Sequence, residues 1–245
     1  MDWEIYLLFF FIAALYASVG FGGGSSYIAV LAFFGVNFLL VRSSALLCNI
    51  VVVIFGTLIF YRQGHLNWKK ALPLVIASVP MAFLGGFLPI KERTFFILLA
   101  ITLVLAGLLT WWQPKANLPN ARTESPLINP VLGGSIGFLS GMVGIGGGIF
   151  LAPLLYLTRW AEAKTIAATA SLFILVNSIA GILGQIAKGS FQFDWKFSLP
   201  LLIAVFLGGQ VGSRLGAVKL PAIWVKRATA LLIFYIGIEL LVKNI

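Results

Sequence analysis

The chain of 245 residues contains one cysteine, Cys48, one histidine, His65, and seven carboxylates. A single thiol forms no intrachain disulfide, runs no thiol relay and cannot build a cysteine-rich metal site. His65 stands beside Arg62 and Lys69 with no local metal partner. Asp2 and Glu4 lie at the start, Glu92, Glu124, Glu162 and Asp194 fall between apolar stretches, and Glu239 lies near the end of the last one. The apolar stretches thus lack the buried Asp or Glu that proton- and sodium-coupled carriers often use. With no His, Cys or carboxylate constellation, the sequence offers nothing for acid–base, redox or metal catalysis. It reads as a non-enzyme without a cofactor.

What the chain has is apolar residues. They make up 60% of it against 10% charged, and the mean hydropathy is +1.04, far above a soluble domain. Apolar segments run over Ile5–Phe38, Ser43–Tyr61, Ala71–Ile90, Thr94–Trp112, Pro130–Thr158, Thr165–Ala187, Phe197–Ser213 and Ala228–Val242. No stretch reads as an aqueous domain, which predicts an all-α integral membrane protein. The acidic start, Met1-Asp2-Trp3-Glu4, is read as the mature first segment, since a cleavable signal begins basic. The net charge of +10 is carried by Lys and Arg at segment ends, where such residues orient membrane proteins. The expected partner is therefore the lipid bilayer, not nucleic acid. Trp68, Trp111, Trp112, Trp195 and Trp224 sit at the same levels and fit aromatic belts.

Glycine is placed unusually. Val19-Gly20-Phe21-Gly22-Gly23-Gly24 recurs 124 positions later as Val143-Gly144-Ile145-Gly146-Gly147-Gly148, each copy inside an apolar stretch. Each glycine costs a helix about 1 kcal/mol, and lipid supplies no water to a broken backbone. The first and fifth segments, of 34 and 29 residues, carry these runs near their middles. Cut there, they give pieces of about 12 to 17 residues, short of the roughly 20 a span needs. Two re-entrant helical hairpins are the economical reading. Charge counting agrees: if both hairpins return to the face they left, the Lys and Arg residues divide 11 to 6, against 9 to 8 if each long segment crosses once. The more basic face is cytoplasmic, which places both termini outside the cytoplasm, in an inner (plasma) membrane.

A hairpin plus three spans is an odd number of crossings, so two tandem copies must be inverted. The repeat continues beyond the glycines: Leu66-Asn67-Trp68-Lys69 with Leu72-Pro73 echoes Phe193-Asp194-Trp195-Lys196 with Leu199-Pro200. The chain divides into a first membrane repeat over 1–112, a proline-bearing cytoplasmic linker over 113–129, and a second repeat over 130–245.

The glycine run resembles a dinucleotide fingerprint in letters only, because that fingerprint needs a preceding strand and an acidic residue about 20 positions on. Glycines at four-residue spacing, Gly133-Gly137-Gly141 and Gly208-Gly212-Gly216, read as helix-packing stripes. The consecutive glycines read differently. A helix that restarts after a break presents N–H groups without intrahelical acceptors at the positive end of its dipole, a ready anion site. Gly22, Gly23, Gly24 and Ser25 in the first copy and Gly146, Gly147 and Gly148 in the second are the candidate substrate amides. Inverted repeats would bring the two tips face to face. Asn49, Thr169, Ser171 and Asn177 are candidate neutral residues to complete the shell, the two asparagines standing between a path role and plain helix packing. Arg214 reads as a snorkelling anchor.

These motifs resemble the TauE/SafE sulfite exporter family, also called the toluene sulfonate uptake permeases. The likeness rests on Gly144-Ile145-Gly146-Gly147-Gly148-Ile149 with Pro153-Leu154-Leu155, the weaker copy at Gly20–Gly24, and Ala168-Thr169-Ala170-Ser171. The first half departs from the pattern, with Ala29 where the second has Pro153 and Ser25-Ser26 after its glycines. The resemblance implies transport of sulfite, thiosulfate, sulfoacetate or other small sulfonates and carboxylates; the residues themselves argue only for a small anion, and two inverted halves for alternating access. A passive anion channel, a structural membrane subunit and a homodimer stay open at this point.

The charge split generates a topology prediction. Single cysteines at Asp2, Asn117 and Asn244 in a Cys48→Ser background should label from outside intact cells at Asp2 and Asn244 and stay protected at Asn117. Labelling of Asn117→Cys by an impermeant thiol reagent in intact cells overturns it.

Overall fold

The computed structural model describes residues 3–18, 21–111 and 128–216 and scattered positions between 227 and 242, with no side chains described at 214–216. Gly20, Trp112, Trp224, nearly all of the 113–129 linker and the Arg214 side chain lie outside the described residues. Among the described residues the secondary structure is helical: α1 (Trp3–Ser18), α2 (Gly24–Phe33), α3 (Phe38–Arg62), α4 (Trp68–Phe87), α5 (Glu92–Trp111), α6 (Ile128–Val143), α7 (Gly148–Leu157), α8 (Ala163–Lys188) and α9 (Trp195–Gly216). Five of them, α3, α4, α5, α8 and α9, are long and apolar enough to cross a membrane. The outer surface is correspondingly oily, with Phe11, Ile76, Leu105, Val131, Leu183 and Ile203 all exposed.

The two glycine runs break their helices. α1 and α6 have 16 residues each, α2 and α7 only 10, so α2 and α7 rise about 15 Å, half the hydrocarbon thickness. At the second break Gly144, Gly146 and Gly147 all have φ between 83° and 86°, a left-handed backbone that glycine alone adopts freely. Both short helices end alike. Val36 N–H bonds Leu31 C=O across Gly35, and Trp160 N–H bonds Leu155 C=O across Arg159. Gly35 and Arg159, 124 positions apart, take the same left-handed turn at φ 67° and 55°, and that turn closes a Schellman-type cap.

Packing is reciprocal between the halves. α1 packs on α9 and α6 on α4, while α3 and α8 form the central pair. The predicted stripes make these contacts: Gly133, Gly137 and Gly141 lie on the backbone of Leu74, Ser78 and Ala82, and Gly208 and Gly212 on Phe10 and Ala14. Residue numbers rise together, so each of these pairs runs parallel. α3 and α8 run antiparallel, with Thr57 on Ser171 and Ser43 on Gln185. Phe9 stacks on Tyr27 at 4.7 Å, which sets α2 back alongside α1.

Glycines on one helix should respond in opposite ways. A Cβ at Gly137 would meet Ser78 O at 2.6 Å, whereas at Gly134 the nearest atom is Met81 Cγ at 3.6 Å. Gly134→Ala should gain up to about 1 kcal/mol from helix propensity, and Gly137→Ala should lose about 1–3 kcal/mol by forcing α4 and α6 apart. Thermal unfolding in detergent reads both; equal effects would contradict close backbone packing.

Candidate functional site

The two breaks meet at the middle of the α3–α8 pair, and Asn49 joins them. Its Nδ2 donates to Ile145 C=O at 2.9 Å, while its buried Oδ1 has no hydrogen-bond partner. A Cβ at Gly22 would lie 2.5 Å from Asn49 Oδ1, one at Gly24 would meet the Asn49 amide and, at 2.6 Å, Ile145 O, and one at Gly146 would meet Asn49 Nδ2 at 2.7 Å and Ser178 Oγ at 3.1 Å. Gly22, Gly24, Asn49, Ile145, Gly146 and Ser178 therefore occupy one spot, where only glycine lets backbone and amide approach.

The first N–H groups of α2 and α7 open on this spot. Tyr27 N–H is the first in α2 to find an acceptor within the turn, at Gly23 C=O, and Phe150 and Leu151 N–H bond Gly147 C=O in α7. Ser25 and Ser26, and Gly148 and Ile149, precede those bonds, and none of the four has an acceptor one turn back. Ser25 is buried. The dipoles of both short helices place their positive ends here.

Gly23 and Gly147 serve the backbone instead. Both are N-caps in the left-handed region, at φ 90° and 83°. A Cβ on Gly23 would point at Tyr27 and Ile12, and one on Gly147 at Phe173 and Ile136. A bulky residue at either position strains the fold before it touches an anion. Gly148 faces Ile174, which stands in α8 where Asn49 stands in α3. The amide that touches both tips thus comes from one half only, and the other half adds the Ser178 hydroxyl.

Asn177 is fully buried with both amide atoms unpartnered. It shares the stripe Phe173–Ile174–Asn177–Ser178 that faces the second break, by helical spacing. Ser171 lies elsewhere: it shares a hydrogen bond with Thr57 Oγ1 at 2.9 Å, about 10 Å along α8 from Ser178. Thr169 lies farther still, buried and unpartnered. At the opposite end Ser43 Oγ bonds Gln185 Oε1 at 2.8 Å and accepts from Gln192 N–H. The central spot is thus flanked on each side by a hydrogen bond between α3 and α8. Ser178 and Ile145, absent from the sequence candidates, are central.

Arg42 also departs from expectation. The charge count treated it as a loop residue, but it is 1% exposed, inside α3 and against Gly144, whose Cβ would come 3.2 Å from the Arg42 Cα. Helix α3 begins at Phe38 because Asn37 caps it, its side chain accepting from Leu39 N–H at 3.0 Å. That cap draws Arg42 into the helix.

The model of the TauE/SafE sulfite exporter family matches residues 5–240. The chain belongs to the TauE/SafE sulfite exporter family. It is similar to the probable membrane transporter protein y4hK of Sinorhizobium fredii, 34% identical over 244 residues and 96% of each chain. It is also similar to the probable membrane transporter protein YunE of Bacillus subtilis, 23% identical over 255 residues, 93% of this chain and 92% of that one. A third relative, the probable membrane transporter protein ORF9 of Sinorhizobium sp, is 30% identical over 233 residues, 87% of this chain and 84% of that one. No solved structure matches. The chain is thus a multi-pass membrane transporter, and the meeting point of its two breaks is the candidate site of a TauE/SafE protein.

Gly22 tests whether that point is built around Asn49. Alanine fits its backbone but displaces Asn49, so Gly22→Ala should cost about 1–2 kcal/mol. In an Asn49→Ala background the same change should cost far less, a coupling above about 0.5 kcal/mol in a double-mutant cycle. Additive costs would show that Gly22 is not reserved for Asn49.

Proposed function

We propose that this TauE/SafE transporter moves a small sulfur-containing or organic oxyanion, such as sulfite or a sulfonate, by alternating access of two inverted repeats. The observation that carries the reading is the convergence of two helix N-termini on one buried, half-satisfied amide, Asn49. N-terminal amides are donors to an anion, and among the described residues no buried carboxylate opposes it. An oxyanion between the tips takes the place of Ile145 C=O on Asn49 Nδ2 and receives the free N–H groups of α2 and α7.

Inversion is supported by direction. α3 opposes α8; α4 folds back from α3, and α9 from α8, through loops of a few residues; α1 runs with α9, and α6 with α4. It follows that α1 opposes α6. α2 returns beside α1 to the face where α3 begins, which is the re-entrant arrangement. The flanking Ser43–Gln185 and Thr57–Ser171 bonds are then the contacts that part in turn as the repeats rock. Both termini lie outside the cytoplasm on this reading, with Arg62 and Lys69 inside.

Purified protein in liposomes tests it. Labelled sulfite or methanesulfonate should enter saturably and show counterflow, which a passive channel lacks. Asn49→Ala should lower uptake about 10- to 100-fold, the worth of a hydrogen bond to a charged group. Uptake of neutral or cationic solutes with no response to any anion refutes the reading.

A further inference from the structure

Arg42 is the only charged side chain among the described residues that is buried, at 1% exposure. Of its five donors, Nη2 reaches Gly141 C=O at 3.3 Å, and Nε has no partner. No carboxylate pairs with it among the described residues. A guanidinium withdrawn from water without a counterion is strongly unfavourable. The carbonyl end of α6 offsets only part of that cost, through its dipole. The second break lies directly on Arg42: a Cβ at Gly144 would touch the Arg42 backbone, and two residues later Gly146 touches Asn49. The same short loop therefore links the buried charge to the meeting point of the tips, two helical turns along α3.

The charge balance of the site is simple. At each break the negative end of one helix, α1 or α6, adjoins the positive end of the next, α2 or α7, so the paired half-charges largely cancel. What is left is about one positive charge, that of Arg42. The corresponding position in the other half, 125 residues on, is Ala167, so nothing doubles it. Resting on the oxyanion reading above, we propose that Arg42 is the fixed countercharge of the substrate and restricts it to monoanionic oxyanions, so that sulfite is taken as hydrogen sulfite. A sulfonate or carboxylate with one charge neutralises the site and presents two oxygens to the guanidinium fork. A dianion leaves one negative charge buried and is disfavoured.

Methanesulfonate and ethane-1,2-disulfonate share a binding group and differ in charge, so they are the probes. Binding to purified wild-type protein is read by ligand-dependent thermal shift, and transport by counterflow in liposomes. Wild type should prefer methanesulfonate at least tenfold. Arg42→Gln should lose at least tenfold in methanesulfonate affinity and lose the preference. Where Arg42→Gln yields no folded protein, Arg42→Lys carries the test: it keeps the charge without the fork and should bind methanesulfonate three- to tenfold more weakly while still discriminating against the disulfonate. Wild-type affinity in either variant assigns Arg42 to capping α6 and overturns the proposal while the oxyanion reading stands. Equal binding of both probes by wild type overturns the charge restriction. Failure of wild type to bind any anion, including sulfite, sinks the oxyanion reading and this proposal with it.

Discussion

A helix broken inside a bilayer leaves backbone groups that lipid cannot satisfy, and everything else in this fold answers that constraint. The first half answers for the second: Asn49 holds Ile145 C=O, and Arg42 holds Gly141 C=O near the end of α6. The glycine stripes on α6 and α9 bring partner backbones close enough for this, since without a hydrophobic force between helices association depends on close packing. Exchange of α1 onto α9 and of α6 onto α4 then ties each broken helix to the opposite half. Neither half is complete alone.

On the proposed mechanism that dependence also sets how the halves move. Between α3 and α8 the side-chain hydrogen bonds outside the tips lie at two levels: Ser43–Gln185 toward one end, and Thr57–Ser171, with Ser171 Oγ also on Val53 C=O, toward the other. Each is a neutral hydrogen bond worth on the order of 1 kcal/mol, small beside the glycine-lined packing that holds α4 on α6 and α1 on α9. A rocking motion that keeps the latter and exchanges the former is therefore the inexpensive one. On the proposed mechanism the fold separates a rigid part from a breakable part by the kind of contact it uses in each.

Much of this was legible in the sequence. Consecutive glycines inside apolar runs have no other economical reading, and α2 and α7 do begin at Gly24 and Gly148. The four-residue spacing of Gly133, Gly137 and Gly141 correctly announced packing. Three things were hidden for physical reasons. The direction of each missing side chain depends on the backbone path through the break, which separates Gly22, Gly24 and Gly146, facing Asn49, from Gly23 and Gly147, facing aromatic rings. The partners of Asn49 depend on the register of α3 against α8 and on where the second break crosses it, so Ser178 and Ile174 were invisible. Arg42, at the edge of an apolar segment, has the signature of a surface anchor; only the Asn37 cap hinted that the helix starts before it.

The halves are alike in backbone and unlike at the centre. Caps, breaks and helix lengths repeat, yet Asn49 and Arg42 have Ile174 and Ala167 as their counterparts. An alternating carrier needs its two end states close in energy, and a repeated scaffold meets that need because each state is roughly the other inverted. Recognition carries no such requirement. A substrate held between two tips meets both halves whichever face is open, so one amide and one guanidinium suffice for both states. A second buried arginine would add a charge that a monoanion leaves uncompensated. On the proposed mechanism the chain divides symmetry in the contacts that move from asymmetry in the contacts that recognise.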